Sequence, residues 1–141
     1  MIRSKNPKFI KVCVVIPAYN ESRVIGDIII KVSDLFKKQN DLVATVVVVN
    51  DGSKDNTAEI ASRHALVVSH ILNSGAGAAT ATGLSFAERN NFDVAVTMDA
   101  DGQHLPRDVL TGVRKLLNSN ADLLIGSRLI DTNGMSSIKI L

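Results

Sequence analysis

Short apolar runs alternate with amphipathic segments along most of this chain. The apolar runs are rich in β-branched residues and end at proline, glycine or polar residues, which is typical of buried strands. Strands are therefore predicted at 11–17, 42–49, 66–68, 94–98 and 122–126. The segments between them repeat apolar residues at helical spacing, which predicts helices with one buried face. Strands that alternate with helices predict an α/β fold, with a mostly parallel sheet and helices on both faces.

The predicted helices begin at residues that favour helix starts. The first runs from about Glu21, with Asn20 as its N-cap, and the second covers about 56–64. The third follows a glycine-containing loop, and the last starts at Pro106, where the missing N–H of proline costs nothing. Residues 131–141 are poorly patterned, and no element is predicted there.

Unusual polar residues and glycines cluster directly after the predicted strands. The clusters are 17–21, 50–53, 73–77, 99–104 and Arg128. Carboxyl ends of parallel strands lie at one edge of a sheet, and ligands of open α/β sheets bind there. Randomly placed polar residues would fall at both edges, so this clustering predicts a single site.

Two carboxylates, Asp99 and Asp101, directly follow the apolar run at 94–98, and Gln103 adds an amide oxygen nearby. Hard oxygen ligands suit Mg²⁺ or Mn²⁺, which keep bound waters and hold substrate phosphates. For an isolated Asp-Ala-Asp, the alternative is a solvated turn with an aspartate helix cap. We expect His104 to form a structural hydrogen bond rather than to bind a metal.

The other loops carry residues that suit a nucleotide. Tyr19 could stack on a base or ribose, or simply pack half-buried. Asp51 could accept a hydrogen bond from the nucleoside, or form a turn beside Gly52; as a loop residue it is expected to contribute little to folding. Gly75 and Gly77 allow a ligand to approach the backbone closely, and the helix start that follows favours anions.

For several other residues the sequence predicts a functional role only weakly or not at all. Arg128 could pair with a phosphate through two hydrogen bonds, or form a surface ion pair. The glycine loop is not a dinucleotide-binding fingerprint, because Thr80 occupies the third glycine position, and it lacks the Gly-Lys-Ser/Thr of a Walker loop. His64 and His70 lie in helix and strand patterns and receive no functional role.

Composition narrows the class of protein. The 141 residues, 45% hydrophobic, suit one domain with a real core, and the net charge of +2 argues against a general nucleic-acid binder. Residues 1–10 are expected to form a flexible basic tail, with contact to a membrane surface or partner as the alternative. Cys13 is expected to be buried, and no apolar run approaches the roughly 18 residues of a membrane span. We expect a cytoplasmic protein, with peripheral membrane contact as the alternative.

Together the motifs resemble the nucleotide-binding half of a family 2 glycosyltransferase with the Rossmann-like GT-A fold. The matching stretches are VVIPAYNE at 14–21, NDGSKDNT at 50–57, NSGAGA at 73–78, DADGQH at 99–104 and GSR at 126–128. Within the family, the DADGQH stretch is most similar to polyprenyl-phosphate (dolichol-phosphate) mannosyl- and glucosyltransferases.

The resemblance implies that a nucleoside-diphosphate sugar, of the GDP-mannose or UDP-glucose type, is bound through Mg²⁺ or Mn²⁺. It implies Asp99, Asp101 and Gln103 as metal ligands, and Asp101 and Arg128 as catalytic residues. The implied nucleotide-sugar contacts are Pro17, Ala18, Tyr19, Glu21, Asp51, Gly75, Gly77, Asp99 and Ala100. The implied reaction transfers the sugar with inversion to a polyprenyl phosphate, an acceptor that is already ionised and needs no general base.

The sequence departs from the family pattern at Asn50, where an aspartate is usual, and at Ala76, where a basic or larger residue is common. It also stops at Leu141, so we expect a single nucleotide-binding domain over 1–141, truncated after about the fifth strand. A second copy or a partner would then supply the acceptor half. The alternatives are a sugar-nucleotide-binding module without turnover and, less favoured, a sugar nucleotidyltransferase.

Overall fold

The computed structural model describes residues 9–130 and 136–140, with side chains described within 9–124. Strands and helices alternate through most of this part of the chain. Their bounds are β1 Ile10–Ala18, α1 Ile25–Lys37, β2 Leu42–Asn50, α2 Thr57–Ser62, β3 Leu66–Ser69, α3 Ala76–Arg89, β4 Val94–Thr97, α4 Pro106–Leu117, β5 Leu124–Ile130 and β6 Ser136–Ile140. Within these described residues, no helix is both long and apolar enough to cross a membrane.

The first four strands form one parallel sheet in the order β3-β2-β1-β4. The predicted α/β architecture is therefore confirmed. The fifth strand was predicted over 122–126, with nothing after it, and this was wrong in part. β5 extends to Ile130 and pairs antiparallel with β6, in a separate sheet of two strands. Only Ile138 and Ile140 alternate with polar residues in β6, a pattern too short to predict a strand.

Helices cover both faces of the parallel sheet, which explains the continuous apolar runs. Successive side chains of a strand point to opposite faces, and in β1 both sets are buried. Val12, Val14 and Ile16 pack in one core with residues of α1, α2 and α4. Cys13 and Val15 pack in a second core with residues of α3. As expected, Cys13 is buried, and burial raises the pKa of its thiol to about 11.

Two predicted boundaries were wrong. Helix α1 begins at Ile25 with Val24 as its N-cap, whereas Asn20 has a positive φ of 52° and belongs to the preceding loop. The tail expected over 1–10 was wrong at its last residue, because Ile10 is in β1 and pairs with Leu42. Residues 1–8 lie outside the described part of the chain. Pro106 is the first residue of α4, as predicted.

Helix α3 lies close to β1 because it presents small residues to the sheet. Ala79, Gly83 and Ala87 are buried along one side of the helix. A Cβ added at Gly83 would lie 2.1 Å from Cγ1 of Val15, so only glycine fits at this contact. The position of α3 therefore depends on the absence of a side chain at Gly83.

We expect Gly83→Ala to lower the free energy of unfolding by about 1–3 kcal/mol, because the methyl group overpacks the core against Val15. Gly77→Ala is the matched control in the same helix, since an added Cβ there meets no atom within 4 Å. This control should leave stability unchanged or raise it by up to about 1 kcal/mol. Urea denaturation of both variants measures the difference, and equal stabilities would contradict the close packing.

Candidate functional site

The loops that follow β1, β2, β3 and β4 lie at one edge of the sheet, because these strands are parallel. The structure therefore brings to one edge the residues that were proposed for the site from Pro17 to Gln103. Arg128 lies in β5, but its side chain is outside the described part of the chain. Its contact with a phosphate stays a prediction.

A buried carboxylate joins the loops after β2 and β3. Asp51 is 3% exposed. Its Oδ1 accepts hydrogen bonds from the N–H of Ser74 at 2.9 Å and lies 2.7 Å from Nδ1 of His70. Its Oδ2 accepts from the N–H of Gly75 at 2.8 Å. Both oxygens thus hold the glycine loop, here defined as residues 73–77, at the start of α3.

The surroundings of Asp51 favour its ionised form. Burial alone would raise the pKa of this carboxyl, but hydrogen bonds from Ser74, His70 and Gly75 outweigh burial and lower the pKa below its ordinary value. The expectation that Asp51 contributes little to folding assumed an exposed loop side chain, and the structure contradicts that assumption. The sequence gives no direct sign of these contacts, since they join residues that are far apart along the chain.

His70 is a residue that the sequence analysis missed. It follows β3 directly, and its Nδ1 and Nε2 lie 2.7 Å from Asp51 Oδ1 and 2.8 Å from Oγ1 of Thr82. Its position could have indicated a role from the sequence, because His70 follows a predicted strand and comes just before the glycine loop. The rule that placed the other candidates at strand ends applies equally to His70.

Backbone contacts between the same two loops leave no room for a side chain at Gly52. Its φ is +71°, and an added Cβ would lie 2.6 Å from the backbone N of Asn73. Beside it, Asn50 donates from Nδ2 to Oγ of Ser69 at 3.1 Å and accepts at Oδ1 from the N–H of Ser53 at 3.1 Å. The amide at position 50 therefore supports the turn without adding a charge next to Asp51.

The loop after β1 is hydrogen-bonded to the loop after β2. The N–H of Asn20 donates to Oγ of Ser53 at 3.0 Å, and the Asn20 side chain accepts from the N–H of Lys54 at 2.9 Å. The N–H of Glu21 donates to Oγ1 of Thr57 at 2.9 Å. Tyr19 lies beside these contacts and is 41% exposed. This exposure fits both alternatives predicted for it, stacking on a ligand and half-buried packing.

Glu21 connects this region electrostatically with the loop after β4. Its pKa is raised first by burial and then by the negative charges of Asp101 and Asp55. Asp101 therefore lies close enough to Glu21 for their charges to interact. A cation near Asp101 would relieve this repulsion.

The loop after β4 has its own hydrogen bonds and exposes its carboxylates. The N–H of Asp99 donates to Nδ1 of His104 at 2.9 Å, which confirms the structural role expected for this histidine. The N–H of Gln103 donates to Oδ1 of Asp101 at 2.9 Å, and Gly102 has a φ of +78°. The side chain of Asp99 is 55% exposed. The metal ligands implied by the resemblance are thus together in one short loop.

The donor set fits a magnesium or manganese ion that is completed by other ligands. Asp99, Asp101 and Gln103 offer carboxylate and amide oxygens, which both ions accept. Within the described residues, no three His, Cys, Asp or Glu side chains are arranged to hold a metal by themselves. An ion in this loop would therefore also need waters or the phosphates of a substrate, as is usual for Mg²⁺.

Two of the proposed nucleotide contacts are core residues. The side chains of Ala18 and Ala100 are each 3% exposed and pack in the same core. The carbonyl of Ala18 also accepts the N–H of Asp51 at 2.9 Å. Their side chains therefore do not reach a ligand, and any contact they make would come from the backbone.

Residues 13–139 match a family model described as glycosyl transferase family 2. The chain belongs to this family. The resemblance stated from the sequence motifs is therefore confirmed.

Two curated relatives illustrate what this member of glycosyl transferase family 2 is similar to. The chain is 35% identical over 133 residues to UDP-N-acetylglucosamine–dolichyl-phosphate N-acetylglucosaminyltransferase of Methanococcus voltae, covering 82% of this chain and 51% of that protein. It is 34% identical over 124 residues to polyprenol monophosphomannose synthase of Mycolicibacterium smegmatis, covering 83% and 44% respectively. The chain spans about half the length of the curated relatives it matches.

Solved structures confirm the GT-A fold of this family 2 member. One is glucosyl-3-phosphoglycerate synthase from Mycobacterium tuberculosis, in complex with Mn²⁺, uridine diphosphate and glucosyl-3-phosphoglycerate. It matches with a TM-score of 0.67 and 29% identity, over 82% of this chain and 43% of that chain. The same enzyme is also known with Mg²⁺ and uridine diphosphate.

A groove of about 760 Å³ lies elsewhere, at the opposite edge of the sheet. Its lining includes the apolar residues Phe9, Ile30, Val43 and Leu66, and Asp34 is the one carboxylate among the described residues that line it. This lining lacks the paired carboxylates and the glycine loop that a metal-bound diphosphate would require. The chemistry of the residues, rather than the size of the groove, therefore identifies the carboxyl edge as the candidate site.

We expect Asp51→Asn to lower the free energy of unfolding at pH 7 by about 2 kcal/mol, since hydrogen bonds to a charged group are lost. The folded pKa of Asp51 lies below its ordinary value of 3.8, so the stabilisation is complete above that pH. This stabilisation is lost as the pH falls through the folded pKa. The difference in unfolding free energy between the wild type and the variant should therefore become smaller there.

Urea denaturation between pH 7 and pH 3 measures this effect. The exposed Asp27, which forms a surface ion pair with Lys31, provides the control substitution Asp27→Asn. The control should change stability by less than about 1 kcal/mol throughout. The role assigned to this carboxylate would be contradicted if Asp51→Asn lost little unfolding free energy at pH 7. A loss that grows on acidification would contradict it as well.

Proposed function

We propose that the carboxyl edge of the sheet binds a nucleoside-diphosphate sugar through a divalent cation, and that the whole protein transfers the sugar to a polyprenyl phosphate. The observation that carries this proposal is the loop after β4. It presents two carboxylates at the same edge as the glycine loop, which the buried Asp51 carboxylate fixes in place.

Asp99, Asp101 and Gln103 are the proposed ligands of Mg²⁺ or Mn²⁺. When bound, the cation would neutralise the charge that develops on the departing nucleoside diphosphate. The pKa of Glu21 is raised first by burial and then by the charges of Asp101 and Asp55. The charge contribution supports this location, because a cation at Asp101 would offset it. The solved relative crystallised with Mn²⁺ and uridine diphosphate supports the same cofactor class.

The nucleoside is proposed to lie against the loop after β1. Tyr19 offers an exposed ring for stacking, and Glu21 offers a carboxylate that accepts hydrogen bonds from a base or ribose. Pro17 and the backbone of Ala18 would form the wall of this subsite. Asp51 would contribute through the loop that it holds, since its oxygens already accept hydrogen bonds from Ser74, Gly75 and His70.

The proposed glycine-loop contact uses backbone rather than side chains. Gly75 has a φ of +94°, and neither Gly75 nor Gly77 would bring an added Cβ within 4 Å of another group. The space around both residues is therefore open to a ligand. A diphosphate in this space would lie beside the N-terminus of α3, where the helix dipole favours negative charge.

Chemistry and the names of relatives support the proposed acceptor class. A polyprenyl phosphate is ionised at neutral pH, so its oxygen attacks the anomeric carbon without a general base. Among the curated relatives are enzymes named for dolichyl phosphate and polyprenol monophosphomannose. Arg128 is proposed to pair with phosphate in this reaction. Such an acceptor would bring the protein to a membrane surface.

We expect Asp101→Asn to weaken Mn²⁺-dependent binding of UDP or GDP by at least about tenfold, because one negatively charged ligand of the cation is lost. Isothermal titration calorimetry with Mn²⁺, and separately with EDTA, measures the affinity. Asp34→Asn, on the distal half of α1, is the matched control and should bind as the wild type does. Equal affinities of the wild type with Mn²⁺ and with EDTA would contradict the metal site.

The acceptor is tested with radiolabelled GDP-mannose and UDP-glucose. We expect transferred sugar to appear on polyprenyl phosphate and not on the matching polyprenol, because the alcohol needs a base to remove its proton. Thin-layer chromatography of the lipid extract separates the two products. Transfer to the alcohol at a similar rate would contradict the proposed acceptor class.

A further inference from the structure

His70 is held at three points that belong to different parts of the fold. Its backbone N–H donates to the carbonyl of Asn50 at 2.9 Å, which extends the pairing of β2 and β3. Its Nδ1 lies 2.7 Å from Asp51, and its Nε2 lies 2.8 Å from Oγ1 of Thr82 in α3. Rotation of the imidazole ring would break both side-chain hydrogen bonds.

The direction of these hydrogen bonds follows from the chemistry of the partners. An ionised carboxylate only accepts, so Nδ1 of His70 carries the hydrogen that is donated to Asp51. In a neutral ring, Nε2 then accepts from the hydroxyl of Thr82, and in a charged ring Nε2 donates to it. Thr82 therefore fits either protonation state and fixes the orientation of the ring.

The Asp51 carboxylate connects His70 with the glycine loop. Its Oδ1 is shared between His70 and the N–H of Ser74, and its Oδ2 accepts from the N–H of Gly75. Gly75 is the N-cap residue of α3, the helix that also carries Thr82. The contacts thus connect Thr82 of α3 through His70 and Asp51 to Ser74 and to Gly75, the N-cap residue of the same helix.

We propose that His70 and Thr82 are positioning residues for nucleotide binding, which act through Asp51 to set the conformation of the glycine loop. This inference rests on the proposed function, because it assumes that the glycine loop contacts the diphosphate. Neither residue needs to touch the ligand. Their effect is to keep the carboxylate oriented so that the Ser74 and Gly75 backbone has one arrangement before a nucleotide arrives.

Two substitutions at position 70 separate the contacts that the imidazole makes. An asparagine places an N–H donor near the position of Nδ1 and retains the contact with Asp51. A glutamine places its amide near the position of Nε2, which retains the contact with Thr82 but leaves Asp51 without its side-chain donor. A purely structural role for the ring would make the two variants equally different from the wild type.

The test combines two measurements on the 141-residue chain. The ¹H–¹⁵N spectrum of the nucleotide-free protein reports the amides of Ser74 and Gly75 directly. Calorimetry with UDP and with GDP, each in Mn²⁺, reports affinity. We expect His70→Gln to shift both amides and to weaken binding about tenfold, as for loss of a hydrogen bond to a charged group, and His70→Asn to stay within about threefold of the wild type.

Controls separate positioning from loss of stability. His64→Gln makes the same replacement at an exposed histidine just before β3, and it should change neither the amides nor the affinity. Thr82→Val replaces the hydroxyl with a methyl group of similar size, whereas Thr82→Ser keeps the hydroxyl, so the serine variant should retain the wild-type spectrum. Urea denaturation of each variant shows whether the protein is folded under the conditions of the binding measurement.

The inference is overturned if His70→Gln leaves the Ser74 and Gly75 amides in place, or if the asparagine variant loses as much affinity as the glutamine variant. Failure of the wild type to bind either nucleotide would refute the proposed function instead. In that case the amide shifts of the nucleotide-free variants would still decide whether His70 sets the loop.

Discussion

A buried negative charge at the carboxyl edge of the sheet constrains the loops around it. An ionised carboxylate removed from water is strongly destabilising unless polar partners replace its hydration. For Asp51 those partners are His70 and the backbone amides of Ser74 and Gly75, so compensation of the charge also fixes the glycine loop. The neutral Asn50 beside it adds hydrogen bonds without a second buried charge. One electrostatic requirement therefore determines much of the local structure.

The loop after β4 contrasts with this fixed region. Two of its hydrogen bonds are local, from the N–H of Asp99 to His104 and from the N–H of Gln103 to Asp101, and its carboxylates are exposed. Exposed carboxylates exchange water for a cation at a lower cost than buried ones. The edge thus combines a loop that hydrogen bonds hold in place, which suits the backbone recognition of a diphosphate, with an accessible acidic loop that suits a metal. Glu21 responds to the charge of Asp101, which joins the two regions electrostatically.

The sequence predicted the sheet, most helices and the common edge at which the candidate residues lie, because hydrophobic periodicity and the ends of parallel strands follow from local rules. It did not predict which polar side chains turn inward. Asp51 and His70 were missed as structural partners because they meet only when β2 and β3 pair, and Asn20 was assigned to α1 although it supports a neighbouring loop. Strand β6 was missed because its alternation is short. Contacts between distant segments decide these features, and a single sequence does not show them.

A metal-bound nucleoside diphosphate is proposed to occupy the carboxyl edge of the sheet. Paramagnetic broadening by Mn²⁺, in the ¹H–¹⁵N spectrum of the chain with UDP or GDP, tests this claim most directly. We expect the amide resonances of Gly102, Gly75 and Glu21 to broaden, while those of Val43 and His64, at the opposite edge, remain sharp. Broadening centred on Val43 and His64, with Gly102 unaffected, would contradict the assignment of the site.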